Sequence, residues 1–429
     1  MKHLSLKLAC FVILLLQIGL VSAQTNSLSP DDIRNYGAIC GSSSSYQVNT
    51  QAIESALQAR GIAFIPPCAI YAGNTTLSSG NKIYGVGIAS NLIAGDAVSA
   101  TGLLNCIGCN GFDVESISIT DTASQRTNGL SGITCTSGCS NVHIVNTTVQ
   151  GNYGILITDG TSVYIDKNTV TAYGEDSGSN ISGAGIAVQG TTADSHGYNC
   201  GGTPGNFVHV TNNTVSGASN GTPAGILYCQ SNYGDITNNT LSSPGYFGIT
   251  ARGPNITQLT ISGNHVYNSV HEAVIVGEGA TLVSVNSNIL LFGASSIDYG
   301  ITLDGSEGTV TQVNVNGNTL QSCYNTCIAL ADTVTFSLVT GNSILNANQS
   351  NTAGEAGIAL WGSGNQYNTI SNNYISNTSA RKGYIIQELN AQTGMPTHNV
   401  YMNNTGFNMS TGTFSIGSAS LSNNNFPLQ

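Results

Sequence analysis

Residues 235–241 read DITNNTL, 260–266 read TISGNHV, 284–290 read SVNSNIL and 314–320 read NVNGNTL. Each contains an apolar residue, two small or polar residues, an asparagine, a free position and a second apolar residue. The pattern extends in both directions. Its asparagine falls at Asn168, Asn213, Asn239, Asn264, Asn288, Asn318, Asn342 and Asn373, in steps of 45, 26, 25, 24, 30, 24 and 31 residues. A second element, Gly-Ile-x-apolar, accompanies it at Gly154, Gly185, Gly225, Gly248, Gly300 and Gly357. Gly383 opens a variant, and Ala273 and Cys327 hold the glycine position in two more copies.

Self-similarity at a fixed period of this size marks a solenoid. Segments that alternate with period two between Gly and Asn are strands, not helices. The expectation is an all-β parallel β-helix, each turn stacked on the last at ~4.8 Å with inward Ile, Val and Leu filling the coil. An asparagine at constant register suits an internal amide ladder, because Asn tolerates a left-handed bend and its amide can bond the Asn one turn away. Before the coil, Asn49 to Gly61 reads as one amphipathic helix. Ile53, Ala56 and Leu57 share a face, Asn49 or Thr50 caps the start and Gly61 the end. Such a helix covers the open end of a solenoid.

Only 7% of the residues are charged, against roughly 25% in an ordinary soluble domain. With 40% apolar residues this is not the composition of a disordered chain. Lys2 and Lys7, the apolar run Leu8 to Val21 and the closing Val21-Ser22-Ala23 read as an export signal over residues 1–23. That run is too short for a spanning helix. The expected organisation is therefore signal 1–23, an N-terminal segment with the capping helix over 24–61, and the coil over 62–429. Without the two signal lysines, 10 − 2 = 8 basic residues face 21 acidic ones, a balance of −13. Nucleic acid is excluded as a partner, since its phosphates need basic neutralisation. The destination is extracellular or periplasmic.

Eleven cysteines become ten once Cys10 goes with the signal, and an even count in an exported chain reads as disulfides. Cys40 and Cys68, Cys106 and Cys135, Cys109 and Cys139, and Cys200 and Cys229 are 28, 29, 30 and 29 residues apart, close to one turn. Local pairs, Cys106 with Cys109, Cys135 with Cys139 and Cys323 with Cys327, compete with them. A zinc site in the C-x2-C and C-x3-C stretch is disfavoured by the compartment and by the lack of nearby His.

Ile33 to Ala38 (IRNYGA), the helix, Ile62 to Pro67 (IAFIPP), Leu77 and Lys82 to Gly87 (KIYGVG) resemble the opening of the pectate-lyase superfamily domain, also found in rhamnogalacturonase and epimerase relatives and in phage tailspikes. The later turns resemble the repeats of the pectin-lyase-like fold. The resemblance implies a right-handed coil and a carbohydrate context. The N-T-D, D-D, G-H-G and R-I-K series of polygalacturonases and the Y-G-x-D-P-H of alginate epimerases are absent, so no catalytic residue carries over by motif.

Register supplies a site instead. The residue two after each glycine points outward and is small at Ala187, Thr250, Thr302, Ala329 and Ala359, as a groove floor requires. Two residues before the glycines, successive turns carry His271, Asp298, Asn325, Glu355 and Arg381. Four or five after them come Arg252, Glu278, Asp304, Asp332 and the single tryptophan, Trp361. In a chain so poor in charge, this gathering points to a groove for a sugar chain. Hydrolysis needs an acid and a second carboxylate. Asp304 and Asp332 on neighbouring turns are the leading pair, Glu278 the reserve, and His271 beside Asp298 a proton relay. Arg252, Asp298, Glu355 and Trp361 would bind substrate. The expectation is a secreted glycoside hydrolase rather than a uronate lyase, which would need Ca²⁺ bridged by carboxylates. No resident cofactor or metal is otherwise called for. The alternative is a non-catalytic glycan-binding or adhesin-like coil. The sequence leaves monomer or homotrimer undecided, though the signal segment disfavours a trimeric tailspike-like fibre.

Overall fold

The computed structural model describes residues 28–427 except 96–101, 122–129, 174, 177–180, 191–199, 218–223, 294–298 and 391–393. The segment read as an export signal, Cys10 and Asp298 lie outside the described residues. Three parallel sheets of 15, 14 and 13 strands run along the chain. Sheet I opens with Ile62–Phe64, sheet II with Ala69–Ala72 and sheet III with Thr75–Leu77. One rung takes one strand from each, for example Phe247–Arg252 (III), Leu259–Ser262 (I) and His265–Tyr267 (II). From that rung Ile249, Ala251, Ile256, Leu259, Ile261 and Val266 point inward and are 0–1% exposed. Burying each large aliphatic chain stabilises the coil by roughly 1.5–3 kcal/mol. The fold is thus an all-β parallel β-helix, as the repeat implies.

The Gly-Ile segments are the strands of sheet III, and packing explains their glycine. A Cβ at Gly154, Gly185, Gly225, Gly248, Gly300 or Gly357 would collide with Val170, Val215, Leu241, Val266, Leu320 or Ile375, the core residues of sheet II. Register puts Ala273 and Cys327 in the same column, since Ile249 pairs with Val274 and Ile301 with Ile328. The Gly383 variant is offset. Ile358 pairs with Ile386, so Ile385 holds the column and Gly383 lies beside Glu355. Arg381 consequently leaves its expected row; it ends a strand of sheet II and donates to Gln349 at 2.9 Å.

The amide ladder is present and longer than the eight asparagines of the repeat. The Asn239 amide donates to Oδ1 of Asn264 at 3.0 Å and to the Val210 carbonyl at 2.8 Å, while its own Oδ1 accepts from the backbone and the amide of Asn213. The same bonds link Asn168 through Asn373 and continue to Asn404 and Asn425. Both donors and both acceptor sites of each interior amide are used. The left-handed residue at this bend is not the ladder asparagine but the one before it, as at Lys167, Asn212, Asn238, Gly263 and Gly317. A second ladder, Asn368 to Asn399 at 3.1 Å, follows Ser337 at the corner entering sheet I. Its signal, an aromatic residue before Asn or Ser at 336–337, 367–368 and 398–399, is legible in the sequence.

The cap is a helix over Tyr46–Arg60, closed by left-handed Gly61. Ala52, Ile53, Ala56 and Leu57 are buried. It starts before Asn49, which is not its cap. Asn49 is buried and ties the preceding segment down, accepting from the Ile39 N–H and donating to the carbonyls of Ile39 and Tyr71. Disulfides join Cys40 to Cys68 and Cys200 to Cys229 across one turn, while Cys106–Cys109, Cys135–Cys139 and Cys323–Cys327 close locally. Cys106 and Cys135 are nonetheless register partners. The three local pairs settle the competition between connectivities.

At the far end the inward series Leu303, Leu330, Leu360 ends in a carboxylate, Glu388. It is 3% exposed and accepts from Asn399, Tyr401, Ser420 and the Gly417 N–H, so it ties the last segment to the coil. Burial, then the adjacent carboxylate, push the Tyr401 hydroxyl well above its ordinary value, so it stays a donor.

Replacing Asn264 by Leu strands the amide and backbone donors of Asn239 and the Ile236 carbonyl, each costing ~1–3 kcal/mol. Chemical denaturation is expected to register a loss of roughly 3 kcal/mol or more, against less than ~0.5 kcal/mol for exposed Asn316→Ala. Glu388→Leu extends the apolar column but leaves three side-chain donors and one backbone donor without their acceptor. Limited proteolysis should then cut within residues 410–427 while the melting of the preceding coil moves little.

Candidate functional site

The outer face of sheet III carries the expected rows. Arg252, Gly277, Asp304, Ala331 and Trp361 are successive register partners, so Arg252, Asp304 and Trp361 share one outward column. Glu278 and Asp332 follow one residue later, with φ of 56° and 59°. They turn the corner instead of stacking on Asp304. Asp304 and Asp332 therefore occupy neighbouring rungs but adjoining columns. Asp304 Oδ1 also accepts from the Ser306 N–H at 3.1 Å, the ordinary role of an aspartate entering a turn.

Arg252 and Glu278 form an ion pair of 2.6 Å with side chains 6% and 10% exposed, and Glu307 lies 4.0 Å from the same guanidinium. A planar guanidinium held between carboxylates is pre-organised and stays charged. On the opposite edge His271 stacks on Tyr246, ring centroids 4.2 Å apart, and lies beside Phe247 at 5.9 Å. Glu355 accepts from the Thr326 hydroxyl at 2.8 Å. Asp298, the proposed partner of His271, is outside the described residues. Beside Asn325, at the corner from sheet II, Phe292, Gly293, Ser322, Tyr324 and Gln349 line a pocket of about 280 Å³.

The floor differs from the open groove expected. Ala187, Thr250, Thr302, Ala329 and Ala359 do point outward, yet all are 0–5% exposed. The rings of Tyr299 and Trp361 meet at 5.2 Å, although they stem from opposite ends of strands two rungs apart. Their contact therefore lies across the rungs between them, where the residues are small. Toward the N-terminal rungs, Ala184, Ala187, Cys200, Ala224, Leu227 and Cys229 form a separate apolar cluster on the same face, with Cys200 stapled to Cys229. The floor is small because other side chains lie on it.

Sequence reasoning missed a second column, on sheet I. Asp113, His143, Tyr164, His209 and Asp235 are successive register partners. His143 bonds Asp113 at 2.8 Å, His209 bonds Asp235, and Tyr164 lies between the two imidazoles at 5.2 and 4.8 Å. It sits on a partly exposed sheet face rather than in a cleft. Among the described residues, the one group of three metal-ligating side chains close enough to share an ion is Cys106, Cys135 and Cys139, and these are in disulfides. No helix among the described residues is long and apolar enough to cross a membrane.

Breaking the Arg252–Glu278 pair by Arg252→Met leaves a carboxylate nearly out of water without its cation. A loss of roughly 3 kcal/mol is expected. The double variant Arg252→Met/Glu278→Leu should recover most of it in the same denaturation experiment.

No family model and no curated protein matches the chain. Solved structures do. The A-module of the mannuronan C-5 epimerase AlgE6 of Azotobacter vinelandii superposes with a TM-score of 0.56 at 14% identity, covering 93% of this chain and 99% of that one. PfbA, a surface adhesin of Streptococcus pneumoniae, gives 0.57 at 16% identity over 89% and 90%. The catalytic domain of a GH87 α-1,3-glucanase in complex with nigerose gives 0.55 at 15% identity over 93% and 69%. Likeness at these identities concerns the fold, and by it this chain is a right-handed parallel β-helix.

Proposed function

We propose that the chain is an exported enzyme that hydrolyses glycosidic bonds, with Asp304 and Asp332 as the acid and base or nucleophile. The observation that carries this reading is the column of Arg252, Asp304 and Trp361 with Glu278 and Asp332 at its corner, in a chain with so few charges. Asp304 and Asp332 lie one rung and one column apart rather than stacked, and a pair of carboxyl groups flanking the bond is what glycoside hydrolysis requires. Arg252, Glu355 and Trp361 bind the glycan, Glu278 holds Arg252 in place, and His271 with Asp298 serves as a proton relay. The likeness to a glucanase domain and an epimerase module supports a polysaccharide substrate in general terms. Five disulfides suit an oxidising, extracellular or periplasmic location.

The adhesin-like reading has its own support: Asp304 has a turn-forming role, Asp332 sits in a left-handed turn, and the fold is shared with PfbA. A polysaccharide panel separates the readings. Wild type is expected to release reducing ends without unsaturated uronates, and to do so in the presence of chelator. Asp304→Asn and Asp332→Asn should each lower that rate about 10³-fold while the melting temperature holds. Chelator-sensitive release of unsaturated product would identify a lyase instead. Glycan retention without any cleavage would identify a binder.

A further inference from the structure

The buried polar atoms without a hydrogen-bond partner on the outer face of sheet III include the hydroxyls of Thr250 and Thr302, the indole Nε1 of Trp361 and the Oε1 atoms of Gln189 and Gln387. Thr250 is 0% exposed and Thr302 5%, and the two share one outward column, with Ile275 between them. Leaving a buried hydroxyl unbonded costs ~1–3 kcal/mol, whereas valine has the same shape without that cost. Each hydroxyl both donates and accepts, and the indole donates. That is the complement of a sugar's hydroxyl groups.

Charge narrows the ligand further. Arg252 is the single Lys or Arg between residues 168 and 380, and it is already paired with Glu278. In the sequence from residue 247 to 361 this one cation is set against Glu272, Glu278, Asp298, Asp304, Glu307, Asp332 and Glu355, a formal balance of 1 − 7 = −6. A uronate or sulfated chain would meet repulsion with no uncommitted cation to offset it.

We infer that this seam is a binding site for a short run of uncharged sugar residues, held along successive rungs by the Thr250 and Thr302 hydroxyls and the Trp361 indole. The inference rests on the polysaccharide reading above and specifies its substrate as a neutral glycan. The Tyr299 and Trp361 rings, which meet across the column, rotate aside to admit it. In the free protein the site is closed and its polar atoms are unpaired.

The test uses the full chain with Thr250→Val and Thr302→Val, in affinity electrophoresis against soluble neutral α- and β-glucans and against polygalacturonate, alongside thermal melts. Each variant is expected to melt at the wild-type temperature or above it and to bind the retained neutral glucan about tenfold more weakly, or 1.4 kcal/mol. Polygalacturonate should not be retained. Lower melting temperatures with unchanged affinity would make the hydroxyls structural and overturn the inference. So would preferential retention of polygalacturonate, or no retention on any neutral glucan. Binding is scored separately from cleavage. A chain that binds neutral glucan through these threonines but releases no reducing ends keeps the site and loses the hydrolase reading. One that degrades polyuronate keeps an enzyme reading and loses the site.

Discussion

The amide ladder is the interaction on which the rest of the structure depends. A parallel sheet alone tolerates slippage by two residues, because a shift of two restores the same inward and outward faces. A buried asparagine does not. Moving one rung by two residues would put Asn239 opposite Ser262 or Val266 instead of Asn264 and leave two amides unsatisfied in the core. With ten amides from Asn168 to Asn425 locked in series, rungs of unequal length, from 21 to 45 residues, stay in one register. The length differences are absorbed outside the strands.

Fixed register turns a sparse sequence into a dense surface feature. Arg252 and Trp361 are more than a hundred residues apart and belong to one column. The ion pair of Arg252 with Glu278 is largely excluded from water, which strengthens it. Aromatic rings from both edges meet across small residues, and hydroxyls of the same face, those of Thr250 and Thr302, remain unpaired. Such features are expected where a surface is organised for a ligand rather than for its own stability.

Among the structures that superpose on this chain are an epimerase module, an adhesin and a glucanase domain, these three at 16% identity or less. A coil whose interior is specified by a repeat leaves its outer faces free to vary. Function on such a scaffold has to be argued from outward side chains.

The sequence by itself determined the coil, the column of asparagines, the glycine column and the cap, because every rung must meet the same two demands: paired backbone and filled interior. Those demands recur with the period and are readable from one chain. The outer face obeys no such repetition. Whether Asp332 stacks on Asp304 or turns the corner beside it depends on one residue of offset at the strand end. Whether Gly383 belongs to the glycine column depends on where the last rungs pair. The ring contact over the last rungs of the floor comes from Tyr299 and Trp361, on different turns, and the local disulfides at Cys106 and Cys135 form although the same two cysteines are register partners on adjacent rungs. Only the tertiary structure decided these, since each is set by which side chains meet across rungs and not by the pattern within one.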